Sequence, residues 1–218
     1  MESVYKFLTD LRENNTRDWF HANKADYQSA KLKFEEITNI LIPEIQKMDS
    51  QLVGISAKNS IFRIFRDVRF SKDKSPYKTN MGSFFVKGGR NSGNAGYYLH
   101  VEPGSSFLGG GIYMPASDVL KKIRSEIYNF TDEYKKIISN KNFIKNFKDV
   151  QGEKLKLSPK GFPKDFTDIE LLKFKSYTLM YHIPDDFLQD ERYIQNIIKV
   201  FKEMKEFNHF LNRAVEIL

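Results

Sequence analysis

Residues Met81–Tyr113 read MGSFFVKGGRNSGNAGYYLHVEPGSSFLGGGIY, and the punctuation of this stretch decides the fold. Three runs rich in aromatic and aliphatic residues, Met81–Lys87, Gly96–Glu102 and Phe107–Tyr113, are separated by GGRNSGN and by Pro103-Gly104. Connections this short join antiparallel strands, because a parallel pair needs a crossover of a dozen or more residues. The consecutive Gly109, Gly110 and Gly111 suit a bend, a bulge or a close backbone approach within the last run. Upstream, Phe62, Ile64, Arg66, Val68 and Phe70 alternate with Ile61, Arg63, Phe65, Asp67 and Arg69. That period of two predicts another strand, with Phe62, Ile64, Val68 and Phe70 on the core side and Arg66 among them. Downstream, Tyr177–Ile183 has strand character, and LKLSPKGFPKD at 155–165 reads as loop with a strand signal at its start.

Helical periodicity brackets these strands. Val4, Phe7, Leu8 and Leu11 recur at i, i+3, i+4, i+7, with Ser3 able to cap them. Asn14-Asn15-Thr16 interrupts and can cap the next helix. Phe20, Tyr27, Ala30, Phe34, Ile37 and Leu41 then form one face of a helix of about 25 residues, which Pro43 should end or kink. Residues 115–130 return to helix, with Pro115 in its first turn and Val119, Leu120, Ile123, Ile127 and Phe130 on one side. Further short helices are expected at 132–149 and at Ile169–Phe174. A long one starts near Asp190, with Ile194, Ile197, Ile198, Phe201, Met204, Leu211 and Leu218 as its apolar positions. No repeat, low-complexity tract or Gly/Ser linker divides the chain. The expectation is a single domain, 1–218, of the α+β class. Its central antiparallel sheet should have about four to six strands, flanked by N-terminal and C-terminal helices.

Composition bounds the function. Among 218 residues, 40% are hydrophobic, which is enough for a core, and 19 Phe and 11 Tyr stand against one Trp. The absence of cysteine removes disulfides, thiolate metal sites and thiol nucleophiles. MESVYKFLTDLREN carries no apolar run of signal-peptide length, and no stretch approaches about 18 apolar residues. A cytoplasmic protein with no membrane span is therefore expected. The formal charge is +7. Nine cations (Lys58, Arg63, Arg66, Arg69, Lys72, Lys74, Lys78, Lys87 and Arg90) face only Asp67 and Asp73 between residues 58 and 90. That segment alone carries the net charge of the chain, and such a local excess attracts anions.

The chemistry concentrates in RIFRDVRFSKDKSPYKTN, Arg63–Asn80. Arg66, if it faces the core, must be paired, and Asp73 is the expected partner. Asp67 can orient Arg63 or Arg69. Arginine presents a planar fork to carboxylate or phosphate, lysine a point charge, and tyrosine a neutral donor. Arg63, Arg66, Asp67, Arg69, Asp73, Lys74, Tyr77 and Lys78 are thus candidate ligand-binding residues for a phosphorylated or carboxylated small molecule. The competing reading is a self-satisfied Arg–Asp network that only shapes a loop. A third is nucleic-acid binding, because Phe and Tyr interleave with the cations.

The same segment resembles the signature of the domain of unknown function 2461 family, an Arg-x-x-Arg-Asp-x-Arg-Phe element followed by Asp-Lys and Tyr. The match falls on Arg63, Arg66, Asp67, Arg69, Phe70, Asp73, Lys74 and Tyr77. NNTRDWF (14–20), GGR (88–90), AGYYLHVEPG (95–104), PKGF (159–162) and ELLKFKS (170–176) are similar as well, so the resemblance spans nearly the whole chain. It implies a shared fold and a shared site, and no particular activity or cofactor.

Other motifs carry less. His100, within the run Gly96–Glu102, can act as general acid or base, and Asp67 and Tyr77 are the other candidates for proton transfer. Asp67, Asp73, Glu102 and Lys74 have the residue types of a metal-dependent nuclease. Their spacing supplies no metal pattern, and the arginines should pair the carboxylates first. His21, His182 and His209 are isolated, so no metal site is expected. The triple glycine is not followed by Lys-Ser/Thr as in a phosphate loop, and no serine sits in a nucleophile elbow. Trp19 and Phe20 should pack their helix on the sheet, with a lesser reading in which Trp19 and Arg17 line the pocket.

Overall fold

The computed structural model describes residues 1–216, so Leu218 lies outside the described residues. The chain forms α1 (Glu2–Glu13), α2 (Arg17–Ala22), α3 (Lys24–Met48) and α4 (Ala57–Ser60), then β1 (Met81–Phe85), β2 (Gly96–Val101) and β3 (Phe107–Ile112). After these come α5 (Ser117–Asn129), α6 (Thr131–Ile138), α7 (Lys141–Phe147), α8 (Ile169–Leu172), β4 (Tyr177–His182) and α9 (Tyr193–Glu216). The fold is α+β. Among the described residues, one antiparallel sheet of four strands runs in the order β1-β2-β3-β4. The meander read from Met81–Tyr113 is its first three strands, in the register Ser83↔Leu99 and Tyr98↔Gly109.

The core lies between one sheet face and the helices. Phe85 and Tyr97 meet Phe201 of α9 at 6.4 and 5.2 Å between ring centres. Gly110 faces α9 as well, where a Cβ would come within 2.8 Å of the Met204 sulfur. Gly111, at φ +94°, adopts a conformation that favours glycine, and a Cβ there would strike the Tyr177 carbonyl. The glycine run therefore provides the close approach expected of it. Two buried asparagines on α9 tie helix to sheet. Asn208 accepts from Gly111 N and donates to Gly96 O, while Asn212 does the same with both backbone groups of Ala95.

Ser3 lies inside α1, which starts at Glu2, and Pro115 precedes α5, which starts at Ser117, so neither holds its expected helix-start position; three larger expectations also need correction. The long N-terminal helix breaks at Asn23, which puts Phe20 on α2, capped by Thr16 accepting from Trp19 N at 3.3 Å. Pro43 does not end α3, because Leu41, Ile42 and Ile45 are buried around it. Burial at about 1.5–3 kcal/mol per side chain outweighs the roughly 3 kcal/mol cost of an interior proline. The third concerns Phe62–Phe70, which is not a strand. Only Ile61 and Phe65 form isolated bridges, to Ser83 and Tyr77. The backbone ladder reaches as far as Arg66 N→Pro76 O; there Pro76 has no N–H to return, so pairing stops. Of the expected core side only Ile64 is buried, and Phe70 is 95% exposed.

Candidate functional site

Residues 61–80 form an irregular hairpin that extends from the start of β1. Lys78 N donates to Ile64 O, and Phe62 N donates to Gly82 O. Its inner side is anchored by Tyr77, which is buried and stacked on Phe20 at 4.0 Å with an angle of 11°. The Asn15 side chain grips the Tyr77 backbone from both sides, donating to its carbonyl at 3.0 Å and accepting from its N–H at 3.1 Å. In the sequence Asn15 reads only as a helix interruption. Trp19 lies 6.1 Å from the Phe7 ring, at the packing side of α2.

The hairpin divides into two electrostatic halves. At the tip both arginines are matched by carboxylates, while Lys72 makes no hydrogen bond or ion pair among the described residues. Arg66 pairs with Asp73 and donates also to Ser75 O at 3.2 Å. Arg69 holds Asp67 through Nε at 3.0 Å and Nη2 at 2.7 Å, and Lys74 donates to Val68 O at 3.0 Å. Hydrogen bonds from the Ser75 hydroxyl and N–H, then Arg66, hold the Asp73 carboxyl down to about 2. The Arg69 fork holds Asp67 below the usual carboxylate range. Both aspartates of the nuclease-like set are thus bound by arginines, while Glu102 lies off the hairpin, at the end of β2.

At the base the charges are unmatched. Arg63 makes no hydrogen bond or ion pair among the described residues, yet its charge acts on Lys78 and, favourably, on Asp67. The Lys78 ammonium stands 5.4 Å from the Phe62 ring centre, and the Arg90 guanidinium stands 4.9 Å from it. Arg90 donates to Ile61 O at 2.6 Å. Burial, and then repulsion from Arg63 and Arg90, lowers the Lys78 pKa from its ordinary value. Two cations, Lys78 and Arg90, therefore crowd one aromatic ring, with no carboxylate in ion-pair contact with them among the described residues.

The Phe62 ring meets Tyr98 edge-on at 6.0 Å, which leads to the sheet face opposite the core. Tyr98, His100 and Glu102 share this face because side chains alternate along a strand. The Tyr98 hydroxyl lies 3.1 Å from His100 Nδ1, His100 Nε2 lies 3.1 Å from Glu102 Oε2, and Thr79 donates to Glu102 Oε1 at 2.6 Å. Burial lowers the His100 pKa, with Lys78 acting in the same direction and Glu102 opposing, so the ring is neutral at pH 7. A neutral imidazole has one N–H, and an ionised carboxylate only accepts. The network therefore puts the proton on Nε2, and Nδ1 accepts from Tyr98, whose own pKa burial pushes up to about 12. The chain of donors runs Tyr98 to His100 to Glu102, with Thr79 closing it from the hairpin.

The family model of conserved hypothetical proteins designated DUF2461 matches residues 3–210, hairpin and sheet alike. The chain belongs to this family. No curated protein and no solved structure shows a significant match.

Of the candidates named from sequence, Lys78 joins His100 beside the open sheet face of this DUF2461 member, and Arg63 is close enough for its charge to act on Lys78. Arg66, Asp67, Arg69, Asp73 and Lys74 gather at the tip, and Tyr77 belongs to the packing beneath. Sequence reasoning misses Arg90, Tyr98 and Thr79 as site residues. The two-residue period through Tyr98, His100 and Glu102 is the signal available for Tyr98. Arg90 comes from a glycine-rich turn with no periodicity to place it. Two cavities, of about 350 and 540 Å³, lie elsewhere, beside His209 and Arg213 and between α1 and the chain entering α9. No helix among the described residues is long and apolar enough to cross a membrane.

Proposed function

We propose that the hairpin base and the adjoining sheet face bind a phosphorylated or carboxylated small molecule, with His100 able to move a proton to or from it only through the Tyr98 hydroxyl. The observation that carries this reading is that Lys78 and Arg90 stand over Phe62 with no carboxylate in ion-pair contact among the described residues, whereas Arg66 and Arg69 at the tip are held by Asp73 and Asp67. Arginine forks and a lysine ammonium on a half-buried surface favour a multivalent anion. His100 supplies the titratable group, its Nε2 oriented by Glu102 and its Nδ1 reached through the Tyr98 hydroxyl.

The test is thermal stabilisation by orthophosphate, pyrophosphate and citrate. Ligand at about 100 times Kd should add roughly 2.7 kcal/mol of stability. Arg63→Ala and Lys78→Ala should abolish the shift while retaining the fold. If none of these anions shifts the melting temperature of the unaltered protein, the reading fails.

The second reading, a non-catalytic nucleic-acid surface, is favoured by the exposure of Phe62, Phe65 and Phe70 along the basic segment. Contact with about five phosphates would give a log–log salt slope near −4. A flat salt response in a fluorescence-polarisation titration removes it.

A further inference from the structure

The sheet face beside the cations is aromatic where a solvated antiparallel face is ordinarily polar. Phe84, Tyr98, Phe107 and Met180 are each partly exposed there, and His182 is exposed. Two of these rings lie down on the sheet. The Tyr98 hydroxyl falls 2.3 Å, and two of its ring carbons 2.9 Å, from where a Gly82 Cβ would stand. Phe84 Cε2 falls 2.9 Å from the Cβ position of Gly96. Each ring therefore fills the side-chain space of a glycine on the neighbouring strand, Tyr98 over β1 and Phe84 over β2. A ring laid on backbone in this way turns one face inward and leaves the other available for stacking. Phe107, opposite His100 across the ladder, stacks on that imidazole at 4.5 Å and 18°. Phe62 joins the platform to Lys78 and Arg90, with Arg63 close enough for its charge to act on Lys78.

We propose that this face stacks the planar base of a free nucleoside phosphate, whose phosphate is held by Arg63, Lys78 and Arg90. The proposal rests on the anion-site reading and names its ligand class. Charge complementarity selects the occupant: Lys78 and Arg90, which have no carboxylate partner among the described residues, sit together on Phe62 at one corner of the platform, as a single phosphate group requires, and a strand of nucleic acid would need its cations spread along its path. Aromatic stacking is tolerant of base identity, so several nucleotides should bind.

Calorimetric titrations with pyrophosphate, ribose 5-phosphate, AMP and UMP test both parts. AMP and UMP should bind at least about tenfold more tightly than ribose 5-phosphate, the contribution expected of one stacked base. Phe84→Leu keeps the apolar contact over Gly96 and removes the ring; it should erase that advantage and leave pyrophosphate affinity unchanged. Gly82→Ala, which must displace Tyr98, should act likewise, and circular dichroism would confirm that each variant is folded. Equal affinity for AMP and ribose 5-phosphate, with pyrophosphate still bound, overturns the base subsite and spares the anion site. Loss of all binding overturns both. An oligonucleotide bound more than about tenfold better than its mononucleotide overturns the free-nucleotide assignment.

Discussion

Tyr97 and Tyr98 are neighbours on β2, yet they point to opposite faces of the sheet and serve opposite kinds of network. On the core face Tyr97 donates to Asp49 Oδ2 at 2.7 Å, and His209 of α9 reaches both Asp49 oxygens at 3.0 Å. The carboxylate is the hub, its side chain is 4% exposed, and it ties the end of α3 to the sheet and to α9. On the open face the histidine is the hub. Tyr98 donates to His100, which donates to Glu102, and the cations of the hairpin base stand beside them. A carboxylate hub closed by donors from β2 and α9 is a structural lock. A neutral imidazole at the centre of a donor chain, bordered by Lys78 with no carboxylate in ion-pair contact among the described residues, is the arrangement on which the anion-site proposal rests.

That contrast can be broken at several points. The largest effect belongs to the lock. Asp49→Ala leaves the buried Tyr97 hydroxyl without its acceptor and should cost about 3 kcal/mol in urea unfolding. Desolvation raises the Asp49 pKa, but the hydrogen bonds from Tyr97 and His209 outweigh it and the net shift is downward. The native carboxylate therefore holds its proton less tightly than the unfolded one, and this contribution is lost as pH falls below the ordinary carboxylate value.

A smaller effect comes from His100. Its folded pKa is depressed, so the unfolded state binds more protons between that value and 6.5, and stability should fall as pH drops below 6.5. His100→Gln should flatten this limb of the stability–pH curve while leaving the Asp49-dependent limb at lower pH in place. A curve that keeps both limbs would show that His100 is not the group titrating. The smallest effect is expected at the tip. Arg69 and Asp67 are exposed and paired with each other, so Arg69→Ala should change neither the melting temperature nor the binding of pyrophosphate. If Arg69→Ala abolished anion binding, the division of the hairpin into quenched and unquenched halves would be wrong.

Much of this architecture is legible in the sequence. The turns GGRNSGN and Pro103-Gly104 enforce short antiparallel connections, and a long apolar stripe marks α9. The triple glycine announces a close approach, which Met204 and Tyr177 supply. The Arg66–Asp73 pairing is the outcome expected from the cost of an unpaired guanidinium. Local pattern does not convey the fate of Phe62–Phe70, where alternation suggests a strand. Pro76, far along the returning arm, ends the ladder, and only the paired geometry reveals that. Charge counting finds the basic segment but treats its cations as one population. Their division into matched and unmatched depends on distances across the hairpin, and on Arg90 arriving from a turn outside it.

The central claim is that Lys78 carries charge that no protein carboxylate offsets. The direct measurement is its pKa, tracked by nuclear magnetic resonance of the side chain with and without pyrophosphate. The account predicts a value below the ordinary 10.5 in the free protein, because burial, Arg63 and Arg90 all disfavour the ammonium, and a rise when the anion binds. A value of 10.5 that pyrophosphate leaves unmoved would contradict it.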